Sequence, residues 1–488
     1  MAEWRQAARR RSIGIVPVDR GSRGSRRGTM GRHIRDKMAE LVLSIRYEDL
    51  PAEVIHQAKR LVLDTLACAL GGFDGPPSRI VRRTVAELGG RAESTVLGEG
   101  TATSCALATL ANGTMLRYLD NNDYFFRRDT AHASANLAPA LAVAERQGLT
   151  GRDVLAALII GYEVQLRLAE FAGRPNLWER GWRAAATNVA FSSAALSARL
   201  LGLDAGAMAD ALAISGSHNN TLTQSHSGKI PMMKACAEAT VAKAGVEAAL
   251  LAKNGLSGPE EIFEGKYGWI RIVAGDADTE GLTRPIDGHY KIMESCMKPY
   301  AAEMMTQSPI EAAIDVVTGN GIDVADVRRI EARFHDYAFK KPSWDAKKLA
   351  PENRETADHS FTYCIAVAMI DGACGPEQFT DAKLADPKVR ALMERIDLVT
   401  DAKLTALFPE TFAAAIKVTL ASGETFESIC EYPPGHSKNP LSDGEVEAKF
   451  KRLAGGHLGD GEIGRAIDGV WRLDRCEDLG AFMALFAV

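Results

Sequence analysis

YLDNNDYFFRRDTAHASANLAPA, residues 118–140, is the stretch around which the rest of the chain is organised. It places Asp120, Asp123, Asp129 and His132 close together, and a run of helical segments rich in small residues follows directly. Acids and a histidine at the start of an apolar helix predict a polar pocket inside a helical body. From these residues alone, a solvated loop with a structural histidine is an equally open interpretation.

On both sides of this stretch, apolar residues recur at helical spacing. Asp49-Leu-Pro51 predicts a helix start, Gly71-Gly72 predicts its end, and Ser104 is a plausible cap for the helix that leads into residue 118. Their alanine and glycine content predicts close helix approach in a compact bundle. Further helices are predicted over 136–145, 154–171, 184–201, 207–214 and 231–254.

The pattern changes near residue 284. Residues 328–337 and 416–430 alternate like strands, and Ser422-Gly423 predicts a hairpin turn in the second stretch. Helical patterns over 307–317 and 360–370 lie between them.

After residue 435 the helical pattern returns, and Ser442 is its first start signal. The predicted fold class is mainly α, a large all-helical domain interrupted by a smaller α+β lid domain, with the C-terminus returning to the helical domain. We predict residues 30–290 and 436–488 for the helical domain and 291–435 for the lid. A cleft between them would be the natural site.

Composition limits the classes of function. The chain has 488 residues and a net charge of −5, which gives no reason to propose a nucleic acid or a membrane as partner. No apolar run approaches the roughly 20 residues needed to span a bilayer. The eight cysteines form no CxxC and no Cys/His cluster, so neither a zinc nor an iron–sulfur site is expected. Reduced thiols in a cytoplasmic protein are predicted.

The first 29 residues differ in composition from the remainder. They hold eight arginines against Glu3 and Asp19 and include no apolar segment of the secretory type. A mitochondrial presequence would be rich in arginine too, but Pro17 and several glycines interrupt any amphipathic pattern. We predict a disordered basic arm over 1–29, or an over-extended start with Met30 as the natural first residue.

Two further segments carry candidate residues. Lys234 has small neighbours, which suits a cation that faces a carboxylate substrate or, if desolvated, a base. His218 and His226 lie in a polar, glycine-bounded loop of the kind that lines pockets. Neither has a carboxylate beside it, so metal binding there is poorly supported.

The segment around residues 298–307 stands at the predicted junction of bundle and lid. Lys298, Tyr300, Glu303 and Gln307 would suit substrate capture there, and a hinge is equally open. No P-loop, GxSxG or dinucleotide fingerprint is convincing. The inventory of acids, histidines and lysines predicts proton chemistry on a small anionic substrate, either elimination of water or epimerisation beside a carboxylate.

Six stretches of the chain can be compared with known families: LVLDTLACALGG (61–72), NGTMLRYLDNNDY (112–124), HASANLAPALAVAE (132–145), MMKACAEATVAKAG (232–245), KPYAAEMMTQSPIEAAI (298–314) and RETADHSFTYC (354–364). Together they resemble the MmgE/PrpD family, and the resemblance runs from about residue 30 onward. Several motifs, such as LD-x-ND (119–123) and GSHN (216–219), are more similar to the 2-methylcitrate dehydratase branch than to the cis-aconitate decarboxylase branch.

The resemblance implies a cofactor-free lyase without a metal, usually a homodimer, that acts on a small carboxylate. Dehydration of 2-methylcitrate or citrate, as in propionate catabolism, is the leading expectation. Decarboxylation of cis-aconitate, epimerisation of iminodisuccinate and a non-catalytic dimeric member are the alternatives. The resemblance assigns proton transfer to His132, carboxylate anchoring to Lys234 and orientation to Asp120. We assign substrate contacts to Asp123, Ser134, Asn136, His218, His226, Lys298, Tyr300, Glu303 and Gln307.

The chain departs from the branch at four polar positions. The family usually has a histidine shortly after the Gly181-Trp182 pair, but here RAAATN follows, with one extra residue and no histidine. Met305 stands where the branch tends to have another histidine. Ala133 and Ala135 replace proline and aspartate, and Lys229 ends a run that normally closes with glutamate. These changes predict a substrate different from the usual tricarboxylate, with Arg183, His226 and Lys229 as candidate cations for it.

Overall fold

Helices build most of the protein, as predicted. The computed structural model describes residues 33–340 and 344–488, so the predicted arm over 1–29 lies outside the described residues. Among the described residues, none of the helices has both the length and the apolar character needed to cross a membrane. The helices before residue 290 are Ile34–Ser44, Ala52–Gly71, Pro76–Leu88, Cys105–Tyr118, Leu137–Gln147, Gly151–Glu170, Ala184–Leu200, Ala205–His218, Ala237–Lys253 and Thr279–Thr283.

The helices approach each other closely because their contact positions are small. The Ala184–Leu200 helix packs against Gly151–Glu170, Ala205–His218 and Ala237–Lys253. A Cβ placed on Gly113 would lie only 2.8 Å from the Cβ of Ala239, so this crossing admits no side chain larger than hydrogen. The compact bundle predicted from alanine and glycine content is confirmed.

The structure corrects the helix predicted over 231–254. A 3-10 turn, Met232–Cys236, comes first, and the helix begins only at Ala237. The turn carries Lys234 into contact with the buried carboxylates of Asp120 and Asp358. Such a long-range contact overrides local periodicity and leaves no trace in it.

Short strands also occur in the first half, where none was predicted. Ser94–Thr95 (β1) pairs with Ala102–Thr103 (β2), and Phe125–Phe126 (β3) pairs with Thr130–Ala131 (β4). Two-residue strands are too short to produce an alternating pattern. The β3–β4 ribbon nevertheless shapes the stretch between Asp120 and His132.

The second half contains a four-stranded sheet with helices against it. Its strands are Val327–Phe334 (β5), Ile396–Thr400 (β6), Ala414–Leu420 (β7) and Thr425–Cys430 (β8), in the order β6-β5-β7-β8. β7 and β8 form the predicted hairpin around Gly423, whereas the pairing of β5 with β6 is parallel. The helices of this half are Gln307–Asn320, Tyr337–Lys340, Arg354–Ala357, Phe361–Asp371, Asp381–Leu384, Pro387–Met393 and Ala402–Leu407.

The last helices, Asp443–Ala454, Asp460–Trp471 and Leu479–Met483, return to the bundle. Asp443–Ala454 packs on Ala52–Gly71, and its apolar residues join the same buried cluster as the first-half helices. A second buried cluster lies between the sheet and its helices. The domain boundaries at 290 and 435 stay predictions, because residues 33–488 form one compact unit.

Candidate active site

The loop after the Cys105–Tyr118 helix is held in an unusual conformation. Asp120 has a φ of +51°, the one positive φ of a non-glycine residue among the described residues. Lys298, which is distant in sequence, stabilises this conformation of Asp120. Its ammonium donates hydrogen bonds to the Asp120 carbonyl oxygen at 2.9 Å and to Asp120 Oδ1 at 2.7 Å. A strained backbone that the surroundings impose is frequent at functional sites.

Three buried cations surround the Asp120 carboxylate. Oδ1 accepts from Arg117 Nη1 and Lys298 Nζ, both at 2.7 Å, and Oδ2 lies 2.8 Å from Lys234 Nζ. Burial alone would raise the pKa of Asp120, but the charges of Arg117, Lys234 and Lys298 outweigh it and hold that pKa well below 3.8. Asp120 is therefore a fixed anion at neutral pH.

His132 is a neutral base with a defined tautomer. Its Nδ1 lies 2.7 Å from the backbone carbonyl oxygen of Asp123. Because a carbonyl oxygen only accepts, Nδ1 carries the hydrogen and Nε2 carries the lone pair. Burial, followed by the charges of Arg117 and Lys298, lowers the pKa of His132 well below 6.5. The negative charge of Asp120 raises the pKa of His132 but does not reverse this lowering.

A cavity lies between these groups. Two of its walls are guanidinium groups, Arg117 and Arg183, which share Oε1 of buried Glu238 at 3.4 Å each. Its lining residues are Arg117, Asp120, Thr130, His132, Trp178, Arg183, His226, Glu303, Met304 and His359.

Several polar atoms of the cavity wall lack a hydrogen-bond partner among the described residues. They are Nε2 of His226, Nε of Arg183 and Nε1 of Trp178, and these side chains are 1%, 3% and 8% exposed. Buried polar atoms are normally paired, so a wall with three unpaired ones is suited to a polar ligand. Burial, then the charge of Arg183, lowers the pKa of His226 well below 6.5.

Lys234 does not line the cavity, and its ammonium lies between the carboxylates of Asp120 and Asp358. Its ammonium lies 3.1 Å from both Asp358 oxygens and 3.5 Å from His359 Nδ1. Asp358 also contacts His359 Nδ1, while His359 Nε2 faces Asp120 Oδ2 at 3.7 Å. Asp120, Asp358 and His359 have the spacing of metal ligands. The Lys234 ammonium already supplies the cation at that position.

Four of the twelve predicted site residues line the cavity: Asp120, His132, His226 and Glu303. Lys234 and Lys298 contact it only through Asp120. The remaining six point elsewhere, and their assigned substrate contacts stay predictions without geometric support.

Three of those six hold the loop around His132 in shape. Asp123 accepts the Ser134 backbone N–H at 3.1 Å and the Ser295 hydroxyl at 2.9 Å. The Ser134 hydroxyl accepts from Asn122, and Asn136 donates to Gln165 at 2.7 Å.

The other three belong to different surroundings. The Tyr300 hydroxyl donates to Glu311, and Gln307 donates to the Ala302 carbonyl at 3.0 Å. His218 is exposed at the end of its helix. Among the candidate cations, Arg183 lines the cavity, but Lys229 is 58% exposed and pairs with Glu352.

Sequence reasoning missed Arg117, Glu238, Asp358 and His359 as site residues. Arg117 and Glu238 lie in apolar helices, and a lone charged residue among apolar neighbours was the signal available. Asp358 and His359 directly precede the Phe361–Asp371 helix, and Ser360 is the cap of that helix. The site residues Asp358 and His359 are therefore adjacent in sequence to the residue that caps this helix.

Comparison with known proteins agrees with this architecture. The family model of the MmgE/PrpD N-terminal domain matches residues 36–282, and that of the MmgE/PrpD C-terminal domain matches residues 300–473. The two matched segments together cover most of the chain, and the second includes part of the C-terminal helices that return to the bundle.

Curated relatives of two kinds are similar over most of the chain. The cis-aconitate decarboxylase-like protein of Aspergillus oryzae is 24% identical, covering 93% of this chain and 97% of that protein. Human cis-aconitate decarboxylase is 25% identical, covering 93% and 95%. The 2-methylcitrate dehydratase of Cupriavidus necator is 28% identical, covering 80% and 84%.

Proposed function

Because the chain belongs to the MmgE/PrpD family, we propose that it is a cofactor-independent lyase that dehydrates a small hydroxy di- or tricarboxylate. The observation that carries the proposal is the pairing of a neutral base, His132, with two guanidinium groups, Arg117 and Arg183, around one cavity. Carboxylates bind guanidinium groups in a bidentate manner, so such a wall suits a substrate with several of them.

The proposed reaction begins with proton transfer to His132. Its Nε2 takes the proton from the carbon next to a substrate carboxylate, and that C–H electron pair forms the new C=C bond. The neighbouring C–O bond breaks, and its electron pair leaves with the hydroxyl oxygen. Arg117 and Arg183 stabilise the charge that develops on the carboxylate during this step.

The leaving hydroxide needs a proton, and we propose His359 as its source. Burial, followed by the charge of Lys234, lowers the pKa of His359 well below 6.5 in the free protein. A bound polyanion beside the ring raises that pKa again, because opposite charge favours the imidazolium. His359 then gives its proton to the hydroxide, and water is released.

Lys234 takes a different role from the one that the sequence predicted. Its ammonium contacts the carboxylates of Asp120 and Asp358. Asp120 lines the cavity, whereas Lys234 does not. We propose that Lys234 and Lys298 keep Asp120 ionised and oriented. Carboxylate anchoring belongs to Arg117 and Arg183.

Ultraviolet absorbance tests the proposal, because dehydration forms an unsaturated acid from a saturated one. The purified protein is incubated with citrate, 2-methylcitrate and malate, and rising absorbance is expected for at least one hydroxy acid. Absorbance that never rises, with a ligand-dependent gain in melting temperature, would point to a non-catalytic binder. Racemisation without absorbance change would point to an epimerase.

A decarboxylase of the cis-aconitate type is the second candidate. The decarboxylase relatives cover 93% of this chain, which is a wider match than that of the dehydratase relative. The same His132 and arginine wall would serve it, since carbon dioxide loss also develops charge next to a carboxylate. Release of carbon dioxide from cis-aconitate in the same assay distinguishes the two.

We further propose that the protein is a homodimer. Leu222, Met232 and Met233 are 58%, 45% and 47% exposed on two turns that contact each other, and such apolar groups suit an interface. Light scattering during gel filtration should give twice the 52.5 kDa of one chain. A mass of one chain at all concentrations would contradict the dimer.

A further inference from the structure

The three unpaired polar atoms of the cavity wall belong to one continuous surface. Trp178 lies between the other two residues, because the Arg183 guanidinium carbon is 5.2 Å from the centre of its ring and the His226 ring packs against it edge to face at 6.5 Å. The atoms that lack a partner among the described residues are Arg183 Nε, Trp178 Nε1 and His226 Nε2. One small polar ligand on this surface can therefore contact all three.

Backbone hydrogen bonds hold this surface together. The Arg183 N–H donates to the Thr221 carbonyl at 2.7 Å, and the Thr223 N–H donates to the Gly181 carbonyl at 2.9 Å. The segment that carries Arg183 is thus joined to the start of the turn Thr223–His226. The chain itself sets the positions of the two side chains relative to each other.

The tautomer of His226 follows from its neighbour in sequence. The Ser225 hydroxyl donates its one hydrogen to the Leu222 carbonyl at 3.0 Å. The same hydroxyl oxygen lies 3.1 Å from His226 Nδ1 and can only accept there, so Nδ1 carries the hydrogen and Nε2 carries a lone pair. Burial, followed by the charge of Arg183, lowers the pKa of His226 well below 6.5, so this lone pair persists at neutral pH.

The three atoms differ in the kind of partner that they require. Trp178 Nε1 and Arg183 Nε are donors, and the oxygens of a carboxylate can accept from both. His226 Nε2 is an acceptor, so it requires a hydrogen from the ligand. An ionised carboxylate has no hydrogen to donate, whereas the hydroxyl of a hydroxy acid has one.

We infer that His226 accepts a hydrogen bond from the substrate hydroxyl and thereby selects hydroxy acids over acids that lack the hydroxyl. This inference rests on the proposed function for the class of ligand, a hydroxylated carboxylate. The His359 ring lies edge to face with the His226 ring at 5.9 Å, so one hydroxyl between them can donate to His226 while its oxygen faces the proposed proton source. An unsaturated acid such as cis-aconitate leaves the His226 lone pair unpaired.

Paired acids that differ only in the hydroxyl test the inference. Malate is compared with succinate, and citrate with propane-1,2,3-tricarboxylate, by calorimetric titration of the variant His132→Asn, in which loss of turnover is expected. A buried acceptor left unpaired weakens binding, so we expect the hydroxy acid of at least one pair to bind roughly 10–100-fold more tightly. Equal affinities within both pairs, or no binding by any of the four acids, would overturn the inference.

Variants of His226 in the same background show whether this preference comes from its lone pair. His226→Phe keeps a ring beside Trp178 and removes the acceptor, so both acids of a pair should bind equally. His226→Gln offers an amide oxygen in place of Nε2 and should retain part of the preference. His436→Phe is the matched control, because His436 is buried but does not line the cavity, and it should retain the full preference. An undiminished preference in His226→Phe would contradict the inference.

Binding preference and turnover separate this inference from the proposed reaction. A protein that dehydrates a hydroxy acid but binds both acids of each pair equally would keep the lyase and overturn the inference. A protein that prefers the hydroxy acid through His226 but dehydrates none of them would keep the inference and overturn the lyase.

Discussion

The tautomer of His132 is fixed by one backbone carbonyl. The Asp123 oxygen fixes the hydrogen on Nδ1, and burial keeps the ring neutral, so the lone pair of Nε2 is available at neutral pH. His132→Asn preserves a donor for that carbonyl and removes the basic nitrogen. We expect kcat to fall by about 10²–10⁴ with little change in melting temperature, measured by absorbance and by thermal unfolding.

His436→Asn is the matched control for that substitution. His436 is also buried, and burial lowers its pKa to about 4, but it packs beside Tyr432 and does not line the cavity. This variant should retain kcat. A His132→Asn enzyme with near-normal kcat would remove His132 from the mechanism.

The buried histidines also make stability depend on pH. Burial, then the charge of Arg183, lowers the pKa of His226 well below 6.5 in the folded state. Below pH 6.5 the unfolded chain therefore binds a proton that the folded protein does not, and the free energy of unfolding falls as pH falls. Asp129, whose pKa burial raises to about 7, acts in the opposite direction, so the contribution of one histidine must be isolated by substitution.

His226→Gln isolates that contribution. Denaturant unfolding at pH 6 and pH 5 should show the slope of the unfolding free energy against pH reduced by about 1.4 kcal/mol per pH unit. His218→Gln removes an exposed imidazole and serves as the control. Identical slopes for the two variants would contradict a neutral, buried His226.

At the residue scale, the sequence predicted the centre of the site and part of its walls, Arg183, His226 and Glu303, and missed the rest. Asp120 and His132 were recognisable because acids and a histidine crowd one short stretch beside an apolar helix. Glu238 and His359 come from distant segments, and only folding brings them to that stretch. Spatial neighbours that are far apart in sequence leave no local pattern, so no window of sequence could have predicted them.

At the level of elements, prediction succeeded where helix ends are chemically marked. Ser104, Ser360 and Ser442 each accept a backbone N–H from the first turn of their helices, as the positions of Ser104 and Ser442 predicted. The hairpin of β7 and β8 was found for the same local reason. Strand β6 was missed because its parallel partner, β5, lies far earlier in the chain and its own five residues carry little pattern.

One buried lysine links the Asp443–Ala454 helix to the loop that carries the candidate site. Lys449 is 4% exposed and donates to Asp64 Oδ1 at 2.6 Å and to the carbonyls of Asn121 and Lys298 at 2.6 and 2.8 Å. Lys449→Met leaves the buried Asp64 without its cation. Removing one member of a buried ion pair costs about 3–5 kcal/mol, and urea unfolding should show a loss of that size.

Two further variants test this explanation. Lys451→Met removes a lysine of the same helix that is 59% exposed, and it should change stability by no more than about 0.5 kcal/mol. Adding Asp64→Leu to Lys449→Met removes the unpaired acid and should recover part of the loss. If the double variant is no more stable than Lys449→Met, the buried charge is not the cause.

For the whole molecule, the site depends on a chain that leaves the bundle and returns to it. Arg117 and His132 come from the first half and His359 from the second, and Lys449 secures the carbonyls of Asn121 and Lys298 from behind. Val446, Phe450 and Leu453 bury their side chains in the first-half cluster. Each such side chain contributes about 1.5–3 kcal/mol when fully buried, so the returning helix is required for the bundle.

A protease site placed in the exposed residues 438–440 tests this dependence, because it cuts the connection without altering either packed surface. After cleavage, we expect the two fragments to elute together in gel filtration and to retain turnover, since the buried helix face and Lys449 still hold them. The larger fragment alone should aggregate, because the face of the Ala52–Gly71 helix that the returning helix covers would be exposed. Fragments that separate under native conditions, with an active larger fragment, would show that the bundle and the site are complete without the returning helices.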